Sequence, residues 1–192
     1  MENSALYSRR LSSLTTATGL FSFAVIGASQ AMYGPALPHF SERFGLQPGA
    51  AGLILSAHSA GAIFGVLSEV PLGRLPIARW RVGIALTLLL VGALFIGAEL
   101  SWALSLVGGF VIGVGFGALA YGINSLYAGG YGRRSPAMVN LLNAIFGIGA
   151  MLSPLLFLVD FADGGMPFWV LAGVTAVLLP LGFRMDDRLP QA

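Results

Sequence analysis

The chain has 192 residues, of which 56% are hydrophobic and 9% are charged, and its mean hydropathy is +0.84. This composition excludes an ordinary soluble domain and indicates a protein of the lipid bilayer. All ten basic residues are arginine and the net charge is only +2, so the sequence does not predict nucleic-acid binding. The absence of cysteine excludes disulfides, thiolate nucleophiles and cysteine metal sites.

Six apolar segments follow one another along the chain, at residues 14–40, 48–72, 82–98, 101–128, 136–159 and 166–183. Each approaches or exceeds the roughly 20 residues that cross a bilayer as a helix. The segments are continuously apolar and do not alternate, which favours helices over a β-barrel. We therefore expect an all-α membrane protein, with one transmembrane domain of six helices over residues 1–192.

The arginines predict the orientation, because basic loop residues concentrate on the cytoplasmic side of a membrane. With the N-terminus inside, the outer side keeps Arg43 alone, together with Glu42, Glu99, Asp160 and Asp163, and the inner side collects the other arginines. We expect a multi-pass protein of the plasma (inner) membrane with both termini in the cytoplasm.

The N-terminal segment allows two interpretations. Arg9 and Arg10 precede an apolar run, and residues 28–31 read Ala-Ser-Gln-Ala, so a twin-arginine signal peptide with a cleavage site is one of them. The other is a first transmembrane helix. The length of the run favours the helix, because the apolar core of a signal peptide has only about 7 to 15 residues.

Polar side chains in the first two segments are candidates for contact with a solute. Five of them share one face of the first segment, which a membrane helix turns away from lipid: Thr15, Thr18, Ser22, Ser29 and Tyr33. Gln30 lies beside this stripe, and His58 lies about 15 Å from the outer end of the second segment, near the midplane. Hydrogen bonding inside the bundle is the alternative role for these groups.

The fourth and fifth segments are rich in glycine and carry amides. Tyr121 and Asn124 follow glycines spaced by four residues, and Asn143 lies at the polar end of one face of the fifth segment. An amide in hydrocarbon needs hydrogen-bond partners. Asn124 and Asn143 therefore either join helices or bind a polar solute.

The third and sixth segments have almost no polar side chains, whereas the other four carry nearly all of them. Helices that are apolar all round suit contact with lipid, so the first, second, fourth and fifth segments are expected to line a polar pathway. The peripheral segment is the third in each group of three, which predicts two three-helix repeats in inverted topology.

The end of the second segment resembles the loop between the second and third helices of the major facilitator superfamily. That family has a glycine, an acid four residues later and then a Gly-Arg pair, which Gly65, Glu69 and Gly73-Arg74 follow with glutamate in place of aspartate. The resemblance implies that Glu69 and Arg74 form a gate at the cytoplasmic end of the pathway. An interfacial acid neutralised by nearby arginines is the alternative.

A second resemblance covers residues 113–154. The run from Asn140 to Pro154 is similar to the fifth helix of facilitators related to the fucose and glucose porters, which commonly have an acid where this chain has Ala120. The resemblance implies the N-terminal six-helix half of such a transporter, working by alternating access. Solute contacts are then expected from Gln30, Tyr33, His58, Tyr121, Asn124 and Asn143.

The expected function is transmembrane transport of a small polar solute, sugar-like or another organic molecule, without catalytic residues, metal or cofactor. Members of this superfamily typically have twelve helices, so six imply a homodimer or a complex with a second half-size chain. A non-transporting scaffold or a truncated remnant is the alternative. An intramembrane hydrolase using Ser29 and His58 is a minor one, because the six-helix membrane serine proteases carry their serine and histidine on later helices.

Overall fold

The computed structural model describes residues 11–72, 78–158 and 165–185. All regular secondary structure in these ranges is helical, and the α-helices are α1 (Ser13–Ala31), α2 (Tyr33–Phe44), α3 (Pro48–Ala51), α4 (Leu53–Leu72), α5 (Ala78–Gly97), α6 (Trp102–Gly130), α7 (Ser135–Leu152) and α8 (Met166–Gly182). Short 3-10 helices at Gly132–Arg134 and Ser153–Leu158 flank α7. The all-α prediction is confirmed for the described part of the chain.

Four spans in these ranges are long and apolar enough to cross a membrane, and they contain α4, α5, α6 and α7. The bent pair of α1 and α2 makes a fifth if it is counted as one span. α8 is apolar but has 17 residues, which is at the lower limit for a crossing. The described chain thus has four or five spans by length and composition, and the sixth expected span coincides with α8.

The first expected span consists of two helices that meet at Met32 with a bend of 44°. Pro35 explains the bend, because it has no N–H to donate to the carbonyl of Ala31 one turn earlier. The second helix of the pair, α2, ends at Phe44, and the next residue, Gly45, adopts the left-handed conformation (φ 62°) common after the last turn of a helix.

The helices run alternately between two ends of the bundle. One end, called here the Glu69 end, contains the close of α4, the start of α5 and the close of α6. The other, called the Glu99 end, contains α2, the turn between α5 and α6, and the start of α8. The polar contacts described below lie at these two ends and near the middle.

Glycines let two pairs of helices cross in direct backbone contact. Between α4 and α6, four glycines leave no room for a Cβ atom, which would collide with a backbone carbonyl oxygen of the facing helix: Gly61, Gly65, Gly113 and Gly117. Gly27 of α1 and Gly149 of α7 form the same kind of contact with each other's helix. Small residues of this kind allow close packing of membrane helices, where apolar burial against lipid gives little driving force.

Burial differs strongly among the spans. Half of the apolar window of α5 is buried, because α5 packs against both α6 and α8. By contrast, 28% of the window containing α4 and 17% of that containing α7 are buried. The third expected span is therefore more enclosed than the second and fifth, since an apolar surface packs against other helices as readily as against lipid.

The hydroxyl stripe of the first span lies inside the bundle, as its spacing predicts. All five of its side chains have no exposed surface: Thr15, Thr18, Ser22, Ser29 and Tyr33. Ser29 donates to the carbonyl of Ile26 on its own helix (2.8 Å), whereas the hydroxyls of Thr18 and Ser22 have no hydrogen-bond partner within the described ranges.

Candidate functional site

Tyr33 and His58 form a buried polar pair near the middle of the bundle. Tyr33 is the first residue of α2 and His58 lies in the second turn of α4. The tyrosine hydroxyl and the imidazole Nδ1 share a hydrogen bond of 3.2 Å, and the two rings meet edge to face with centroids 5.1 Å apart. Tyr33 is fully buried and His58 is 4% exposed.

The second ring nitrogen of His58 is left without a partner. Nε2 is buried and makes no hydrogen bond to any residue that the structure describes. Leaving such a group unpaired costs about 1–3 kcal/mol, so it is retained only where something compensates for it. A solute group that bonds to Nε2 would remove this cost.

Aromatic rings continue from this pair across the bundle. The ring of Phe116 on α6 meets His58 edge to face at 5.1 Å, and Phe146 on α7 meets Phe116 at 6.2 Å. Phe116 and Phe146 are half-buried. Tyr33, His58, Phe116 and Phe146, called here the aromatic row, therefore connect four different helices at one level of the bundle.

Among the described residues, the other four expected site residues make no hydrogen bond with this pair. Gln30 is exposed near the end of α1, and Tyr121 is 39% exposed on α6. Asn124 is half-buried and donates to the carbonyl of Ala120 (2.8 Å), while exposed Asn143 donates to Val139 (3.1 Å). Each amide nitrogen thus bonds within its own helix, and in the described chain no hydrogen bond links either amide to the histidine.

The distances along the helices separate the expected residues into two groups. Asn143 lies three residues from Phe146, or about 4.5 Å along α7 at 1.5 Å per residue. Tyr121 and Asn124 lie five and eight residues beyond Phe116, about 8 and 12 Å towards the Glu69 end. The structure therefore places Asn143 near the level of the aromatic row, and Tyr121 and Asn124 closer to the Glu69 end.

The expected gate residue Glu69 forms an ion pair with Arg81. Its carboxylate accepts hydrogen bonds from Nε (2.7 Å) and the terminal nitrogen of Arg81, and the two side chains are 4% and 10% exposed. A Cβ atom on Gly122 of α6 would lie 3.3 Å from this carboxylate, so α6 covers the pair closely. Arg74 lies outside the described residues.

The sequence suggested that nearby arginines could neutralise Glu69 but did not single out Arg81, which was expected in the loop before a helix beginning at residue 82. α5 begins at Ala78 instead, and Arg81 lies in its first turn, where the carboxylate of Glu69 neutralises its charge. The spacing of twelve residues between acid and arginine does not predict their contact. Phe116 and Phe146 were missed for a different reason: a phenylalanine in an apolar span carries no signal of a site.

The arrangement of Ser29 argues against the hydrolase alternative. Its hydroxyl bonds to Ile26, and the Nδ1 of His58 bonds to Tyr33, so the serine and the histidine do not form a nucleophile–base pair. In the described residues there is also no group of three or more His, Cys, Asp or Glu side chains that could hold a metal ion.

The family model of the Major Facilitator Superfamily matches residues 19–191, which is nearly the whole chain. The chain belongs to the Major Facilitator Superfamily. No curated protein matches it significantly. Members of the superfamily are membrane transporters and not enzymes, so this chain is a multi-pass membrane protein of a transporter family.

Proposed function

We propose that the chain is one six-helix half of an alternating-access transporter for a small polar solute, with α8 as the sixth span. The observation that carries the proposal is the unpartnered Nε2 of His58. This histidine lies on α4, a helix of membrane-spanning length, and bonds to Tyr33 of α2. An ionisable side chain inside a membrane-spanning helix indicates a functional site. The superfamily match supports transport as the activity.

The solute in this proposal is sugar-like or another small organic molecule with several hydrogen-bonding groups. His58 and Asn143 contact it near the aromatic row, and Gln30, Tyr121 and Asn124 contact it along the pathway. Aromatic edges beside hydrogen-bonding groups suit a ring that has both apolar and hydroxylated faces. The likeness of residues 140–154 to the fucose and glucose porters supports this solute class.

Two inverted three-helix repeats would form this half. The packing partners agree with such symmetry: α1 crosses α7 at glycines as α6 crosses α4, and α5 packs on α6 as α8 packs on α1. In an inverted repeat the first helix of one three-helix repeat corresponds to the first helix of the other repeat, and here these are α1 and α6.

A second six-helix unit would complete the pathway, either a second copy or another half-size chain. The exposed surfaces of α4 and α7 support this, because these are the least buried spans although they carry His58 and Asn143. The protein would lie in the plasma (inner) membrane with both termini in the cytoplasm, as the arginines indicate. Glu69 and Arg74 would then form the gate at the inner end, as the sequence suggests, while Arg81 holds the Glu69 carboxylate in place.

Uptake by proteoliposomes tests the proposal. The purified chain is reconstituted and assayed with a panel of radiolabelled monosaccharides and polyols, alongside variants His58→Ala and Asn143→Ala. We expect uptake of at least one solute and a loss of at least tenfold in both variants, equivalent to about 1.4 kcal/mol of lost solute interaction. Asn140→Ala, which removes an exposed amide from the same helix one turn away, serves as the matched control and should retain uptake.

The outcomes separate the alternatives. Uptake that survives in both variants would discard the site while leaving transport intact. A folded protein that takes up no member of the panel would favour the non-transporting scaffold or remnant.

A further inference from the structure

A second charged cluster lies at the Glu99 end, away from the site. The two oxygens of the Glu99 carboxylate have separate partners on α2: Oε1 lies 2.5 Å from Nε2 of His39, and Oε2 lies 3.3 Å from Nε of Arg43. The exposed fractions of the side chains are 12% for Glu99, 28% for His39 and 55% for Arg43. The carboxylate is thus largely enclosed, and the histidine is its closer and better covered partner.

The backbone fixes Glu99 firmly in the turn between α5 and α6. Its φ is 49°, in the left-handed region that residues other than glycine rarely adopt. Trp169 of α8 donates its indole N–H to the carbonyl of Gly97 (2.9 Å), and Gly165 leaves only 3.1 Å between an added Cβ and the Glu99 carboxylate. The start of α8 therefore packs against the turn between α5 and α6 and holds the Glu99 carboxylate next to α2.

The helix on the other side of the contact, α2, also carries Tyr33 of the site. Tyr33 and His39 are six residues apart, about 9 Å along the helix. α2 joins α1 through the bend at Pro35, and aromatic contacts of Phe40 with Trp102 and Phe168, 5.9 Å between centroids in both cases, hold its inner face. A shift of α2 would therefore change the position of Tyr33 relative to His58.

We propose that His39 and Glu99 form a proton-operated latch that fastens α2 to the turn between α5 and α6. Histidine gains and loses its proton between about pH 5 and 8. The protonated imidazole forms an ion pair with the carboxylate and holds α2 closed over the bundle. The neutral imidazole has no charge to offer, and α2 is then held by the exposed Arg43 and the aromatic contacts.

The surroundings leave His39 as the switching group. Among the described residues, the charged side chains that contact it or its acid are Glu99 and Arg43, and arginine keeps its charge at all relevant pH values. Near this cluster, α6 contributes Trp102, which packs on Phe40, and α8 contributes Trp169, which bonds to Gly97, and neither tryptophan titrates. The latch itself follows from geometry; its control of a solute pathway rests on the proposed function.

Distance measurements by electron paramagnetic resonance test the latch without any solute. The chain has no cysteine, so nitroxide labels can be placed on Ser41→Cys of α2 and Ala103→Cys of α6 alone. We expect a short, narrow distance distribution at pH 5.5 and a shift to longer, broader distances at pH 8.5. A label pair on Ala128→Cys and Ala137→Cys at the Glu69 end should show the same distances at both pH values.

Two substitutions at one position give opposite expectations. His39→Gln removes the charge and should give the long distances at both pH values, whereas His39→Lys keeps a permanent charge and should give the short distances at both. An unchanged distance in the wild-type protein between the two pH values, or a pH response that survives in His39→Gln, would overturn the latch. If His39→Gln does not fold, the pH dependence of the distance in the wild-type protein and the distances in His39→Lys still test the latch.

The latch and the transporter can fail separately. A pH-dependent distance in a protein without uptake would keep the latch and remove the proposed function. Uptake in a protein whose α2 distance does not respond to pH would keep the proposed function and remove the latch.

Discussion

The two ends of the bundle each hold a carboxylate against a basic partner, but they do so differently. At the Glu69 end the partner is Arg81, and both side chains are at most 10% exposed. At the Glu99 end the partners are His39 and Arg43, which are 28% and 55% exposed. The basic member of the first pair is an enclosed arginine, whereas the second cluster includes a histidine and is partly exposed.

This difference predicts different roles. Removing one partner of a buried ion pair leaves an uncompensated charge, which makes such a pair a constant part of the fold. A partly exposed pair contributes little to stability, so it can be broken without unfolding the helices around it. The Glu69 end is therefore suited to hold α4 and α5 together, and the Glu99 end is suited to open and close.

The largest effect is expected at the Glu69 end. Arg81→Ala should lower the free energy of unfolding by about 3–5 kcal/mol, because Glu69 is left buried without an ion-pair partner among the residues that the structure describes. Thermal unfolding in nanodiscs measures the change. Arg133→Ala, an exposed arginine at the same end, is the control and should unfold like the wild-type protein. Equal stability of Arg81→Ala and the control would show that the buried pair is not structural.

The second-largest effect is expected where α4 and α6 cross at their glycines. Gly113→Ala should destabilise the protein by about 1–3 kcal/mol, because the added methyl group would meet the carbonyl oxygen of His58 and push α4 from α6. Gly173→Ala adds the same group at an exposed position of α8 with nothing within 4 Å and should be neutral. If both variants are neutral, the helices do not cross as closely as described.

At the Glu99 end the expected loss is smaller. Glu99→Gln removes the charge that His39 and Arg43 share, and the partial exposure of this cluster limits the effect to about 1 kcal/mol. The same thermal measurement detects it. A loss as large as that of Arg81→Ala would contradict the contrast between the ends.

The smallest effect is expected for Arg43→Gln. Arg43 is more than half exposed, and ion pairs of this kind contribute about 0–1 kcal/mol. The variant should also keep the pH response of α2, since His39 remains. A greater loss than in Glu99→Gln would mean that Arg43, and not His39, holds the acid.

The helical architecture could be predicted from the sequence because long apolar runs have few alternatives in a bilayer. The burial of the hydroxyl stripe followed from its spacing alone. The break at Met32 is a local effect of Pro35, and the prolines at residues 35 and 38 indicate in the sequence that the outer end of this span is broken.

The contacts between distant residues could not be predicted. Tyr33 and His58 were each singled out as polar groups in apolar spans, but their hydrogen bond depends on how α2 and α4 pack. Arg81 was one of several arginines expected near Glu69, and His39 was not singled out, because the specific partner of each carboxylate depends on how the helices pack. Residue type and spacing identify candidates, and packing decides which of them meet.

We propose that this chain supplies one wall of a pathway and that a second unit completes it. Native mass spectrometry of the protein released from nanodiscs, on the same preparation used for uptake, tests this most directly. We expect a mass of two chains, about 40 kDa, or one chain with a second protein bound. A single chain of 20.0 kDa in a preparation that still transports solute would contradict it.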